Sequence, residues 1–224
     1  MDPDEQGAVQ VNAKSFSMMN KLRYLKLYDT NLPNGLEYLP NSLRFLVWHN
    51  FPLKTLPSSF CPEHLVELRM IFSRLEHLWK GIKHSYNLKI LELSNSPNLV
   101  ETPDFRGMPN LERLILEFCN LYEVDQSVGT LERLKVMNLS GCQNLARLPR
   151  SVSGLKSLED LDVSFCLRLE KLPEGLGHVE SLERLDNISE LEFSFEHKHK
   201  PMREEMISGI GMCLVYEEDV EAVI

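Results

Sequence analysis

The amino-acid sequence predicts an α/β solenoid, in which stacked repeats build a parallel sheet on the concave side and leave the convex side irregular. Three observations predict it. One leucine recurs at a nearly fixed period, it begins the residue pattern L-x-x-L-x-L, and several units then end in Leu-Pro. The recurring leucines, spaced 21 to 24 residues apart, are Leu22, Leu43, Leu65, Leu88, Leu111, Leu134, Leu158 and Leu182.

The residue pattern of each unit explains why the units must stack. Its x-L-x-L part alternates with period two, so it predicts a short strand whose leucines point inward. In one unit these leucines are Leu91 and Leu93, which follow the register leucine Leu88. One unit cannot bury them, whereas stacked units bury a continuous core. A period of roughly 20–29 residues with this pattern is the leucine-rich repeat, so we expect a leucine-rich-repeat horseshoe.

The repeat pattern divides the chain into three segments. We expect an N-terminal segment with a degenerate first repeat over 1–20, about seven to eight repeats of 21–24 residues over 21–186, and an acidic tail over 187–224. The first segment is short and polar, which predicts that a preceding segment or a partner covers the open end of the core. Because the tail contains two runs of alternating or apolar residues, we expect it to be short and β-like.

Composition narrows the class of function. The net charge of −9 argues against nucleic-acid binding, which favours a basic surface. No apolar run approaches the roughly 20 residues that a membrane helix needs, so we expect no membrane span. The first residues contain neither a basic stretch nor an apolar stretch of the secretory kind, so we expect a cytoplasmic location, with the nucleus as a further site. Five cysteines without a secretory signal predict reduced thiols.

The side chains that could bind a metal or catalyse a reaction are better interpreted as structural. Cys119, Cys142 and Cys166 each lie eight residues after a register leucine, so their spacing is the repeat period. A metal or redox set is one interpretation, and a buried ladder that binds neighbouring backbone is the favoured one. His197 and His199 could bind a metal weakly, but a solvated turn is the commoner arrangement. Phosphate-loop, serine-hydrolase and zinc-protease motifs are absent from the sequence, so we expect no enzyme, no metal and no cofactor.

The outward positions of the predicted strands are the candidate binding site. They combine bulky apolar side chains with charges that change from basic to acidic along the repeats, as protein interaction sites do. For the three phenylalanines among them, the alternative is that they tuck partly into the rim of the sheet as core. The candidate partner-binding residues are Lys26, Tyr28, His49, Arg69, Ile71, Phe72, Glu92, Ile115, Glu117, Phe118, Asp162 and Phe165.

Short sequence motifs within the repeats resemble those in the leucine-rich-repeat region of plant TIR-type nucleotide-binding disease resistance proteins. They occur in 42–83, which contains "LVEL" and "RLEHLWKG", and in 87–119, which contains "NLVETPDF". The resemblance covers roughly residues 14–186. "MCLVYEEDVE" in the tail is similar to the end of the jelly-roll-like domain that follows the repeats in this family. The family's TIR and nucleotide-binding domains are not represented, so the resemblance identifies the chain as a truncated member.

The resemblance implies a role in plant defence. Such repeats sense a pathogen effector or a guarded host protein and restrain a switch domain, so the expected partners are that protein ligand and the nucleotide-binding and TIR domains of a receptor, in cis or in trans. One alternative is a standalone regulator or decoy that binds receptors or ligands without signalling. Another is a substrate receptor of a ubiquitin ligase, which would need an F-box-like helical segment that the sequence does not contain.

Overall fold

The computed structural model describes residues 9–186 and contains a leucine-rich-repeat solenoid, as the sequence predicts. The strands are β1 Val9–Gln10, β2 Tyr24–Leu27, β3 Thr30–Asn31, β4 Phe45–Trp48, β5 Glu67–Arg69, β6 Ile90–Glu92, β7 Arg113–Ile115, β8 Val136–Asn138, β9 Asp160–Asp162 and β10 Arg184–Asp186. Eight of them, one per repeat, form a parallel sheet in the order β10-β9-β8-β7-β6-β5-β4-β2. The two short strands β1 and β3 pair with each other.

The register of the sheet follows the leucine period. Each strand pairs with the next so that the central inward residue of one repeat lies beside that of its neighbour, from Leu25 beside Leu46 to Leu161 beside Leu185. Of the register leucines, all but Leu22 are buried, and Leu22 packs against the core from its edge. Stacking therefore produces one continuous hydrophobic cluster through the described repeats.

The connections on the convex side change character along the chain. The early ones are irregular, and the later ones contain short 3₁₀ helices at Phe105–Gly107, Gln126–Thr130, Arg150–Gly154 and Glu174–His178. The first two helices begin after aspartates, Asp104 and Asp125, whose side chains accept hydrogen bonds from backbone N–H groups two residues on. This agrees with the predicted irregular convex side.

The ladder interpretation of the three cysteines is confirmed. Cys119, Cys142 and Cys166 are buried, and each thiol lies 3.0–3.3 Å from a backbone carbonyl of a preceding repeat. In the earlier repeats the same column holds the hydroxyl side chains of Thr30, Ser73 and Ser96 and the buried ring of Phe51, and Ser73 Oγ lies 2.7 Å from Ser96 Oγ. The column therefore satisfies buried backbone groups between repeats.

The N-terminal residues pack on the first repeat. Val11 and Phe16 are both buried, and the ring of Phe16 meets the buried ring of Trp48 edge-on, with 6.3 Å between centroids. Trp48 in turn donates a 2.8 Å hydrogen bond from Nε1 to Thr30 Oγ1. The expected β-like tail over 187–224 and the two histidines within it lie outside the described residues.

Candidate protein-binding surface

The strand register places the outward residues in straight rows on the concave face. In the first row, Lys26 lies beside Val47, and each following strand adds one residue down to Asp186. Four predicted site residues lie in it besides Lys26: Arg69, Glu92, Ile115 and Asp162. The second row lies two residues further along each repeat and contains Tyr28, His49, Ile71, Ser94, Glu117, Ser140 and Ser164. Val47, Ser94 and Ser164 are buried, so these members of the rows offer little side-chain surface.

A third set of equivalent positions lies one residue after the second row. It has left-handed backbone in every repeat from the first to the seventh, and we call it the left-handed column. Its members have φ between +42° and +71°. Each residue in this left-handed column turns the chain out of the strand. The N–H of Phe72 donates to Ser94 O at 3.0 Å, and that of Phe118 to Ser140 O at 2.8 Å. The left-handed column consists of Asp29, Asn50, Phe72, Asn95, Phe118, Gly141 and Phe165.

Three phenylalanines in such a column are unexpected on both conformational and solvation grounds. Left-handed backbone favours glycine, asparagine and aspartate, and it is strained for a bulky side chain. Even so, Phe72, Phe118 and Phe165 occupy it, and they are 54%, 52% and 48% exposed. Each ring is therefore about half covered by the rim of the sheet, and the other half is open to a partner. They alternate with small or polar residues, so exposed rings recur at every second repeat.

One phenylalanine is positioned by the glycine of the following repeat. A methyl group built at Gly141 would lie 2.4 Å from Cδ1 of the Phe118 ring, far closer than real contacts allow. Gly141 also has φ +71°, where its lack of a side chain avoids strain. The ring of Phe118 therefore lies over the Gly141 backbone, and no other residue type at position 141 would leave that space.

The charged residues of the first row do not all remain available to a partner. Arg69 forms ion pairs with Glu67 at 2.5 Å and with Glu92 at 2.6 Å, so Arg69 and Glu92 largely neutralise each other. The predicted basic-to-acidic change along the face is accordingly reduced at its centre. At the far end, Arg184 pairs with Asp160 and Asp186.

Glu117 is one carboxylate of this face whose pKa the fold raises. Burial raises its pKa, and the nearby charges of Glu92 and Asp162 raise it further. Its side chain accepts a 2.7 Å hydrogen bond from Asn138 Nδ2. Within residues 9–186, neither Glu117 nor Asp162 has a basic side chain as an ion-pair partner. A cation from outside would therefore relieve repulsion between these carboxylates.

The first two repeats present a different set of side chains. The rings of Tyr28 and His49 lie 4.8 Å apart between centroids, and Lys26 Nζ lies 5.2 Å from the centroid of the Tyr28 ring. The structure therefore brings these three predicted residues together as one aromatic, weakly basic cluster. Ile71 and Ile115 lie between this cluster and the acidic end, both partly buried.

The left-handed backbone under the phenylalanines was not foreseen from the sequence, although a signal was present. Asp29, Asn50, Asn95 and Gly141 occupy equivalent positions, and these residue types are the ones that adopt positive φ. Their alignment with Phe72 would have indicated a strained, outward-turned phenylalanine in place of a core one.

Together, the strand register and the stacked core define a leucine-rich-repeat fold whose concave face exposes aromatic and charged side chains. The family described as "Leucine rich repeat" matches residues 109–167, which contain strands β7, β8 and β9. In 9–186, no helix is long and apolar enough to cross a membrane, and no cluster of three or more metal-ligating side chains is found.

Plant disease resistance proteins are similar to this chain in sequence. Disease resistance protein RRS1 of Arabidopsis thaliana is 42% identical over 137 residues, which is 57% of this chain and 10% of that protein. Disease resistance protein RML1B of the same plant is 39% identical over 145 residues, covering 61% and 14%. TMV resistance protein N of Nicotiana glutinosa is 39% identical over 132 residues, covering 58% and 12%. The resemblance to plant disease resistance proteins is thus confirmed, and the chain spans 10% to 14% of their length.

The chain also matches solved structures, at low sequence identity and with TM-scores below 0.5. The leucine-rich repeat domain of the type III effector XopL is 19% identical with a TM-score of 0.42, covering 73% of this chain and 67% of that chain. A chain in the octameric complex of Latrophilin 3, Unc5D and FLRT2 is 20% identical with a TM-score of 0.46, covering 79% and 71%.

Proposed function

We propose that this chain is the protein-recognition region of a plant immune receptor that acts inside the cell. Its concave face binds a pathogen effector or a guarded host protein in the defence response. The similarity to plant disease resistance proteins supports the class of function. The observation that carries the surface assignment is the left-handed column, where three exposed phenylalanines occupy strained backbone beside unpaired carboxylates.

The exposed rings have no role in the core that would explain them. Phe72 and Phe165 are about half exposed, so each buries far less surface than a phenylalanine of the core does. Backbone strain at exposed positions is a feature that recurs at ligand-binding sites, where the position of the side chain matters more than local stability. A bound partner would remove the rings from water and so recover free energy that the unbound protein lacks.

The chemistry of the face indicates the chemistry of the partner. Because strands in a sheet lie about 4.8 Å apart, rings on every second repeat lie roughly 10 Å apart. Glu117 and Asp162 lie beside these rings and repel each other. The complementary surface is therefore apolar and cationic, with lysine or arginine facing the carboxylates.

Signalling follows from differential binding to two receptor states. In the proposed receptor, the repeats also contact a nucleotide-binding switch domain and hold it inactive. A ligand that binds the repeats more tightly in the released state shifts the equilibrium towards release. Shifting the ratio of the two states from about 1:99 to 99:1 needs roughly 10⁴-fold tighter binding to the released state.

A triple variant tests the surface assignment. Phe72→Ser, Phe118→Ser and Phe165→Ser together remove the exposed rings, and Tyr86→Ser, Val100→Ser and Tyr122→Ser remove three equally exposed side chains elsewhere. Both variants and the unaltered chain are expressed in leaf tissue and recovered, and the bound proteins are quantified. We expect the concave variant alone to lose its ligand by at least tenfold. Equal retention by the concave variant and the unaltered chain would contradict the proposal.

A further inference from the structure

A second candidate site lies at the start of the strands in the first four repeats, outside the concave rows. A cleft of about 400 Å³ opens there. We propose that this cleft and its two arginines bind the acidic segment 217–221 of the same chain, which lies outside the described residues. The lining residues, each directly before or after a register leucine, are Arg23, Ser42, Arg44, His64, Val66 and Asn87.

The first argument is that two adjacent arginines lack carboxylate partners. The positions directly after the register leucines form a row, and later members of this row pair with each other. Lys89 Nζ lies 2.8 Å from Glu112, and the next two members form a second pair at the same distance. In the first two repeats the row holds Arg23 and Arg44, both exposed, and neither forms an ion pair within 9–186. An anion between them would relieve the repulsion of like charges.

The second argument is that the cleft is already formed and its arginines are accessible. The N–H of Arg44 donates to Arg23 O at 2.8 Å, and that of Val66 donates to Arg44 O at 2.7 Å. Ser42 Oγ donates to Leu22 O at 2.8 Å. These bonds hold the backbone beneath the cleft, so the two exposed side chains extend from a fixed base. Each guanidinium can donate two parallel hydrogen bonds to one carboxylate.

The third argument is the distribution of charge along the chain. Residues 9–90 contain eleven lysines and arginines against five aspartates and glutamates, whereas residues 91–186 contain ten against sixteen. Residues 187–224 contain three against nine, and four of those nine lie within 217–221. The acidic tail therefore follows the half of the repeats that repels it, and the half that attracts it contains the cleft.

The fourth argument is that the segment is attached to the chain that contains the cleft. Seven strand spacings separate β10 from β2, which is roughly 34 Å at about 4.8 Å each. The chain from Asp186 to Glu217, about 31 residues, can span about 100 Å when extended. The segment can therefore reach the cleft, and its attachment gives it a higher local concentration than a free peptide would have.

A nitroxide spin label at Cys61 reports on the cleft. Cys61 is exposed, whereas the three ladder cysteines are buried. Its N–H donates to Asn41 Oδ1 at 2.9 Å, next to Ser42 of the lining. The full ¹⁵N-labelled chain carries Cys213→Ser, so that the label attaches at position 61 alone. The assigned amide signals of 217–221 are compared before and after the nitroxide is reduced with ascorbate.

We expect the active nitroxide to at least halve the amide signals of 217–221. Arg23→Gln combined with Arg44→Gln should restore them, because the segment then loses its cationic partners. Arg150→Gln combined with Arg168→Gln is the matched control, since it removes two exposed arginines from the acidic half, and it should leave the broadening in place. Signals that the nitroxide leaves unchanged, or equal broadening in both double variants, would overturn the proposal.

A mixture separates contact within one chain from contact between chains. The ¹⁵N-labelled chain without a nitroxide is mixed with unlabelled chain that carries one. We expect no broadening of 217–221 in this mixture. Broadening there would mean that the segment of a second copy fills the cleft, and it would overturn the proposal. The triple phenylalanine variant should behave like the unaltered chain, because no residue of the concave rows lines the cleft, so this result is separate from that for the concave face.

Discussion

At the phenylalanines of the left-handed column, local stability conflicts with the exposed ring that the residue presents to a partner. Asn50 and Asn95 have φ of +54° and +56°, a conformation that asparagine tolerates. Phe72 has nearly the same φ of +58° between them, without a side chain suited to it. The sequence therefore contains its own comparison, because the same backbone position holds a tolerant residue in one repeat and a strained one in the next.

Replacement of Phe72 by asparagine should leave the stability of the fold nearly unchanged. The ring is 54% exposed, so the loss of its buried part opposes the relief of roughly 1–2 kcal/mol of strain that asparagine brings. We expect the free energy of unfolding to change by less than about 1 kcal/mol in chemical denaturation. The reverse change, Asn95→Phe, is the matched control and should lower the free energy of unfolding, because it adds the strain. If Phe72→Asn destabilised the chain by more than about 1 kcal/mol, the ring would have a structural role and the strain argument would fail.

Glu117 illustrates the same conflict with charge. Its pKa is raised by burial and by Glu92 and Asp162, so the folded state holds its proton more tightly than the unfolded chain does. Its ionised form therefore destabilises the fold at neutral pH, and stability from this group increases as the pH falls through its folded pKa.

Glu117→Gln keeps the shape and the acceptor oxygen that Asn138 contacts but removes the charge. We expect this variant to be at least as stable as the unaltered chain at pH 7 and to lose the difference as the pH is lowered. The matched control is Glu112→Gln, which removes a carboxylate paired with Lys89 at 2.8 Å on the exposed surface. Thermal unfolding between pH 4 and 8 measures both. A clear loss of stability at pH 7 for Glu117→Gln alone would show that its charge is stabilising, against this account.

At the scale of the repeat, the three buried cysteines form hydrogen bonds that connect each repeat to the preceding one. Burial is the main cause that raises the pKa of Cys119 to about 12, of Cys142 to about 11 and of Cys166 to about 12. At ordinary pH these thiols are therefore neutral donors, and they bind carbonyls of Leu93, Leu116 and Leu139. Such thiols are poor nucleophiles, in contrast to the exposed Cys61.

The raised pKa values predict a loss of stability in alkaline solution. The unfolded thiols release protons near their ordinary pKa of about 9, whereas the folded ones keep theirs until pH 11 to 12. The stabilising contribution is therefore complete below pH 9 and is lost above it, at about 1.4 kcal/mol per pH unit for each thiol.

The difference between two proteins isolates this contribution from other titrating groups. The control carries Cys119→Ser, Cys142→Ser and Cys166→Ser, since serine occupies the same column at Ser73 and Ser96. From pH 8.5 to 10.5, the midpoint of urea unfolding should fall faster for the unaltered chain than for the control. Parallel curves would mean that the thiols ionise equally well in the folded state.

At the scale of the whole molecule, periodicity was enough to predict the architecture. The register leucines define the strand positions, because a leucine on the wrong face would leave one repeat without its contribution to the common core. The rows of the concave face then follow from alternation along each strand. For this reason the predicted site residues lie together on the sheet and its adjacent turn.

The features that the sequence did not predict depend on contacts between repeats. The pairing of Arg69 with Glu92 depends on side-chain reach across two strands. The space for the Phe118 ring depends on the absence of a side chain at Gly141 in the next repeat. The cleft beside Arg23 and Arg44 depends on the packing of neighbouring repeats. None of these is encoded in the period, because the period specifies where a residue lies and not which neighbours its side chain meets.

Site-specific photo-cross-linking tests directly whether the concave face holds a protein ligand. The photoreactive residue p-benzoylphenylalanine replaces Phe118 in one chain and the equally exposed Tyr122 in another, and both are expressed and irradiated in leaf tissue. We predict a discrete cross-linked protein at position 118 that is absent at 122, and absent again when Glu117→Lys and Asp162→Lys are added. Cross-linking at 122 with none at 118 would place the ligand off the concave face and contradict the account.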